Sequence, residues 1–419
     1  MAAALVWIMP AFAQATEDRC AQVTRERTVS CALLGSLQLA AERASIGAAE
    51  ARRVAVRPLL PTNPVLSVSF GQRPATRTEP EALAWSFSLA QELEVAGQRG
   101  LRRRERDAEV AAALARGEAA AREVAAAALV AYFEVLAAED AVRLAGRLEE
   151  LTRAAAAAAR GRAAKGLLSR VEAEVVEASA VRAQKARLAA EQARRQAGVE
   201  LAARLGRDPA SEPVTAEGSL DPLPVPPGPT AALVLQATDG SPRIRAMRGE
   251  VRAQEARVAV LRRERAPNPT LSAFAQTDGV DGRIFGLGLS VPIPLPQPVG
   301  RTNAGEIAEA EALVRRAQAQ LAWQTQQVRA HLLSAVSSLE QHRAAVQAVT
   351  PERLRGAEQA LGDIASEIQA GRLAIRDALV LQQGLIELLS SHLESRRALC
   401  LASVELQRLA GLLLDGAMP

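Results

Sequence analysis

Aromatic side chains are almost missing from this chain, at 2% of its 419 residues against 49% apolar residues in all. The apolar surplus is therefore mostly alanine. Alanine with Arg, Glu, Leu and Val is the composition of long helices rather than of a mixed, aromatic-filled core. Histidine and cysteine are equally scarce, with three residues of each. His331, His342 and His392 are scattered over helical stretches, and no carboxylate or cysteine completes a metal site around any of them. Glycine-rich phosphate loops, nucleophile elbows and His-Glu zinc patterns are also missing. The chain is not expected to be an enzyme, and no catalytic residue, cofactor or metal ligand is assigned. Nor is charge of one sign in excess, with 51 Lys+Arg against 47 Asp+Glu. The basic residues are nearly all arginine, spread along helices rather than gathered into the patch that a nucleic-acid partner needs. No apolar run reaches 18 residues, which excludes a membrane-spanning helix.

The first residues, Ala2 to Ala15, are apolar and end in small side chains; Ala11-Phe12-Ala13 and Ala13-Gln14-Ala15 fit a signal-peptidase site. Residues 1–15 are therefore read as a secretory signal, without a basic start. An exported chain without a membrane helix is periplasmic, secreted or an outer-membrane barrel. Cys20 and Cys31 can pair there only if the segment between them is not one straight helix, because eleven helical residues span about 16 Å. Cys20 follows Glu17-Asp18-Arg19, which is unlike a lipidated cysteine after an apolar run. Cys400 reads as a packed thiol.

What the chain does have is a repeat. Asn63-Pro64-Val65-Leu66-Ser67 returns as Asn268-Pro269-Thr270-Leu271-Ser272, and the same displacement separates Gly166 from Gly371. Six residues after each of these glycines stands an acid, Glu172 and Asp377. Each half runs helix, two short strands, long helical pair, and such duplication decides the fold. The first repeat is 16–206, the segment 207–240 is a Pro- and Gly-rich linker, the second repeat is 241–414, and 415–419 is a tail. Ala32 to Val56 reads as one helix ended by Pro58 and Pro61. Strands are expected at about 64–71, 83–91, 269–276 and 284–291. In the second of these Leu83, Trp85, Phe87 and Leu89 alternate with small or polar residues, and in the fourth Phe285, Leu287, Leu289 and Val291 do. That period of two fits a barrel wall between lipid and water, and equally an ordinary half-buried strand. Phe274 falls on the wrong face of the third strand. Helical hairpins are expected over 98–205 and 301–414, with a kink at Pro351. Two strands per half are too little sheet to close alone, so other chains must supply the rest.

Ser169 and Glu172 fit a helix capping box. Ala374 replaces the serine at the second hairpin tip, where Asp377 still favours the positive end of a helix. The recurrence of this pattern at the tips of both hairpins makes them a candidate docking ring.

Together the two Asn-Pro-x-Leu strand entrances, the Gly97-Gln98-Arg99 and Gly300-Arg301 strand exits and the Gly-x-x-Ser/Ala-x-x-acid tips resemble the TolC-like outer-membrane efflux factors. The stretch Val291-Pro292-Ile293-Pro294-Leu295 and the short length are similar to the branch that serves heavy-metal cation pumps. The resemblance covers about Ala32 to Leu414. It implies a mainly α fold with a small transmembrane β part: a homotrimer whose twelve-stranded β-barrel continues as a periplasmic α-helical barrel. It also implies a passive exit duct in the outer membrane of a Gram-negative bacterium, with outer-membrane lipid around the barrel. The duct would be fed by an inner-membrane pump of the resistance-nodulation-division type through a periplasmic adaptor. The tips Gly166, Leu167, Leu168, Ser169 and Gly371, Arg372, Leu373, Ala374 would dock the adaptor, and Glu172 and Asp377 are candidates for acids at the entrance. The rival readings are a soluble periplasmic coiled-coil scaffold and the adaptor itself.

Overall fold

The computed structural model describes residues 20–74, 81–208, 210, 214–225, 229–277, 282–295 and 303–412. The signal segment, the tail, Gly300 and Arg301 lie outside them. The described residues form two compact units, one drawn from residues 42–117 and 242–325, the other from 20–41, 118–241 and 326–412. The units cut across the two sequence repeats, because each takes the same parts of both.

The chain opens with β1 (Gln22–Val23), α1 (Arg25–Gly35) and α2 (Leu37–Ala55). The single helix expected over 32–56 is thus broken at Ser36, whose hydroxyl accepts from the Leu39 amide at 3.3 Å to start the second helix. Gly35 explains the break. It lies directly against the backbone of Leu205 and Gly206, where a Cβ would collide with the Leu205 carbonyl. After β2 (Val65–Arg73) and β3 (Ala82–Glu92) come the hairpin helices α3 (Gln98–Ala164) and α4 (Arg170–Arg204). The segment read as linker carries two elements. One is β4 (Thr215–Ala216), which pairs in parallel with β1 through Gln22 opposite Thr215 and Val23 opposite Ala216; the other is α5 (Thr230–Gly240). Then follow α6 (Pro242–Arg263), β5 (Thr270–Thr277), β6 (Arg283–Ser290), α7 (Ala304–Gln347), α8 (Pro351–Ala370) and α9 (Ile375–Ala410). Pro351 breaks the first arm of the second hairpin rather than kinking it. It sits in the first turn of α8, where its missing N–H removes no hydrogen bond, and Thr350 caps that helix by accepting from the Arg353 amide.

The first unit of the pair holds a four-stranded antiparallel sheet in the order β2-β3-β5-β6. Beside it, small residues let helices approach: Ala49, Val110 and Ala113 form a core with Ile46, and a Cβ on Gly249 would stand 2.9 Å from the backbone of Ala112. The other unit holds the rest of both hairpins beyond residues 117 and 325, and three apolar clusters built largely from alanine, leucine and valine. Tyr132, the lone tyrosine of the chain, is buried there and donates its hydroxyl to the Glu217 carbonyl at 2.7 Å. Arg397 grips Glu134 with two hydrogen bonds, at 2.7 and 2.6 Å, joining α9 to α3. Cys400 is buried among these helices, and burial pushes its thiol up to about 12.

Cys20 and Cys31 form a disulfide, with Cα atoms 6.2 Å apart. Cys20 precedes β1 and lies outside the helix that holds Cys31, so the straight-helix separation does not apply. By loop-closure entropy a bridge across eleven positions stabilises the fold by about 3 kcal/mol. Replacing both cysteines by serine should lower the denaturation midpoint by an equivalent amount, and an unchanged midpoint would show that the bridge constrains nothing.

Candidate functional site

Two regions collect the residues that the sequence marks out, the sheet and the hairpin tips. In the sheet, antiparallel register places Leu66 opposite Leu89, Val68 opposite Phe87 and Phe70 opposite Trp85. The next pairs are Phe87 with Ala275 and Leu89 with Ala273, then Ala273 with Leu287 and Ala275 with Phe285. Leu66, Val68 and Phe70 of β2 therefore lie on one face with every large apolar residue of β3 and β6 named in the alternation, with the exception of Val291, which falls one residue beyond β6. That face is open: Leu287 is 79% and Phe285 75% exposed. Phe70 and Phe87 meet edge to face, with ring centroids 6.3 Å apart, and Trp85 lies 5.2 Å from Phe87.

The opposite face carries Ser67, Ser69, Ser86, Ser88, Ser272, Gln276, Gly286 and Gly288, and the Ser69 and Ser86 hydroxyls lie 2.8 Å apart. Phe274 is on this face as its position requires, and its ring covers Gly286 so closely that a Cβ there would collide with it. The misfit in the third strand is thus a pair, the aromatic filling the space that a glycine on the next strand leaves. Among the described residues, β2 and β6 each pair on one side only.

At the end of the sheet that leads into helices, the strand exit of the first repeat meets the strand entrance of the second. Gln98 is buried and donates to the Asn268 carboxamide oxygen at 2.7 Å, while Asn268 donates to Glu92 at 2.8 Å. Gly97 has φ +77°, a left-handed turn that admits glycine readily. Sequence reasoning found both motifs but not the bond between them, which spans 170 positions.

The tips lie together in the other unit. Gly166 (φ +70°) and Gly371 (φ +74°) make the left-handed turns that end α3 and α8. Ser169 caps α4 with a complete capping box: the Glu172 amide donates to its hydroxyl at 3.1 Å, and its own amide donates to the Glu172 carboxylate at 3.0 Å. The Ser169 hydroxyl and amide together hold the Glu172 carboxyl below the usual range. At the second tip Ala374 caps α9 without a side-chain bond. Leu167 is exposed, whereas Leu168 and Leu373 are half-buried against the cluster that holds Ala159, Val176, Ile368 and Ile375. Arg372 pairs with Glu367 at 2.6 Å, and Asp377 is exposed in the first turn of α9. The residue that joins the tips is Arg162, which gave no signal in the sequence. Its guanidinium donates to the Ile368 carbonyl at 2.7 Å and lies over Gly371, where a Cβ would stand 2.9 Å from it. Losing the Ser169 cap should destabilise its helix end by about 1 kcal/mol, and Ala374→Ser should gain a similar amount at the other. Amide hydrogen exchange at the two helix starts reads both changes; equal exchange in all variants would contradict the capping account.

No helix among the described residues is long and apolar enough to cross a membrane, a fact that says nothing of a β-barrel. Among the same residues no group of three or more His, Cys, Asp or Glu is placed to hold a metal ion.

Residues 28–207 match the family described as outer membrane efflux protein. Over 259 residues the chain is 29% identical to the cobalt-zinc-cadmium resistance protein CzcC of Cupriavidus metallidurans, a match covering 61% of this chain and 60% of that relative. Among solved structures it resembles the outer-membrane channel OprN with a TM-score of 0.77 at 18% identity, covering 92% of this chain and 89% of the other. It resembles the outer membrane protein VceC of Vibrio cholerae with a TM-score of 0.74 at 19% identity, covering 92% and 96% of the two chains. At such identity the likeness is one of fold, and it extends over both repeats.

Proposed function

We propose that this chain, whose residues 28–207 match the outer membrane efflux protein family and whose fold resembles that of the outer-membrane channel OprN, is the outer-membrane duct of a tripartite efflux system. The observation that carries this reading is the four-stranded sheet, with one apolar face in register, an opposite face that is mainly small and polar apart from Val65, Phe274 and Ile284, and two outer strands paired on one side only among the described residues. In hydrocarbon every backbone N–H and C=O must be paired, so such a sheet spans a membrane only when closed. Its strands alternate in direction, so β6 of one copy is antiparallel to β2 of the next, and copies can close a ring without a break. Two copies would make an eight-stranded barrel, which its own side chains fill; three make a twelve-stranded one with a lumen. The apolar face, with Leu83, Trp85, Phe87, Leu89, Phe285, Leu287 and Leu289, then meets lipid, and the serine and glycine face meets water. A soluble scaffold or an adaptor has no use for that division.

The hairpins, in this reading, continue the duct into the periplasm. The tips Gly166 to Ser169 and Gly371 to Ala374 dock a periplasmic adaptor, and Glu172 and Asp377 stand near the entrance as acids that favour cations. An inner-membrane pump of the resistance-nodulation-division type supplies the energy. The likeness to a cobalt-zinc-cadmium resistance protein supports divalent heavy-metal cations as the exported substrate. Deleting the chain from its host should raise the cell-associated cobalt, zinc and cadmium after metal challenge. Unchanged metal content, with organic compounds retained instead, would replace the substrate class.

A further inference from the structure

At one end of the sheet all four strands lead to helices, since Val65 lies opposite Ala90, and Thr270 opposite both Glu92 and Ser290. Three of the connections there are tied together. The Arg99 guanidinium donates to the Arg57 carbonyl at 2.5 Å, the Leu93 amide donates to the Pro269 carbonyl at 2.9 Å, and Gln98 holds Asn268. Large apolar side chains on the connections stand in the open: Leu59 is 78%, Val95 67% and, past β6, Ile293 80% exposed. Exposed apolar surface thus does not stop where the strands end.

The same connections are rich in arginine. A helix start favours acids, and α7 has Glu306 in its first turn. α3 has no acid there, and carries Arg99, Arg102, Arg103 and Arg104 within its first two turns. Arg102 is paired with Glu94, and Glu92 is bonded to Asn268. Arg57, Arg103, Arg104 and Arg263, by contrast, are exposed, and none of them forms an ion pair among the described residues. On the three tied connections they stand against one exposed acid, Glu264; the exposed acids Glu306 and Glu309 belong to the fourth. Free guanidinium groups beside exposed apolar side chains suit the margin of a bilayer, where arginine stems lie along hydrocarbon and their heads reach phosphate.

We propose that this end of the sheet binds anionic phospholipid of the periplasmic leaflet, a partner that rests on the reading of the sheet as spanning the outer membrane. Leu59, Val95 and Ile293 enter the acyl margin, and Arg57, Arg103, Arg104 and Arg263 meet the headgroup phosphates. A guanidinium pairs with a phosphate through two parallel N–H donors. Phosphatidylethanolamine sets its own ammonium against that pairing, whereas phosphatidylglycerol carries no such charge. Repeated by each copy, the patch anchors the barrel at one depth in the leaflet.

Detergent-extracted, delipidated protein is offered equal amounts of phosphatidylglycerol and phosphatidylethanolamine with identical chains, and native mass spectrometry counts both the copies and the bound lipids. The natural chain should retain phosphatidylglycerol over phosphatidylethanolamine by about tenfold, a preference that should vanish as salt rises from about 0.1 M to about 1 M. In the triple variant Arg103→Gln, Arg104→Gln, Arg263→Gln the preference should fall to about twofold or less, with the trimer mass unchanged. If that variant does not assemble, the salt series on the natural chain decides alone. Equal retention of the two lipids by the natural trimer, a preference that survives high salt, or one untouched by the triple substitution overturns the proposal. So does displacement of the lipid by excess glycerol 3-phosphate, which would make the patch a site for free phosphate esters. A trimer without a lipid preference removes this surface alone; a mass other than a trimer overturns the duct reading, and this surface with it.

Discussion

Replacing Phe87 and Leu287 together by arginine should remove the protein from the outer membrane. Both lie on the apolar face of the sheet, and Leu287 is 79% exposed in the single chain, so neither is needed to fill a core within it. An arginine facing lipid near the midplane costs about 2–4 kcal/mol, and a ring of three copies meets each cost three times. The outer-membrane yield should fall more than tenfold. Ser67→Arg places the same charge on the opposite face of β2, where it meets water, and should leave most of the yield intact. Equal loss in both variants would mean that the faces are wrongly assigned, and equal survival would mean that neither meets lipid.

Aspartate at Gly371 should abolish export while sparing assembly. The residue has φ +74°, where any side chain carries a penalty of about 1–2 kcal/mol, and its missing Cβ leaves the space in which the Arg162 guanidinium lies. A carboxylate there would draw Arg162 away from the Ile368 carbonyl and so undo the bond that joins the two tips. Gly166→Asp has open space around it, yet it meets the same backbone penalty on the proposed docking surface. Membrane yield should stay within about twofold of the natural chain for both, because a penalty of about 1–2 kcal/mol at a surface turn is small beside the packing of a long hairpin. Substrate efflux should be lost. Efflux at the natural level would show that the tips take no part in docking.

The duplication, the two strand pairs and the capping box could be read from the sequence, because each is a local pattern: a repeated pentapeptide, a period of two, a serine three residues before a glutamate. What escaped is tertiary. The break at Ser36 depends on Gly35 meeting the backbone of Leu205, far away in the chain. The helix Thr230–Gly240 hides among prolines and glycines that read as linker, and its core partners lie in α7 and α9. Phe274 looked misplaced because its partner Gly286 is on another strand. The disulfide could only be left open, since pairing turned on whether Cys20 belonged to the helix of Cys31. At the tips the glycines and the cap were legible, but Arg162, which ties one tip to the other, sits in a helix crowded with arginines and has no pattern of its own.

The central claim is that the sheet closes only with copies of itself in the membrane. The native mass of the protein, extracted in detergent from the outer-membrane fraction, tests it most directly. The account predicts a stable trimer, matching a barrel in which β6 of each copy pairs with β2 of the next. A monomer or dimer recovered from the soluble periplasmic fraction would contradict it.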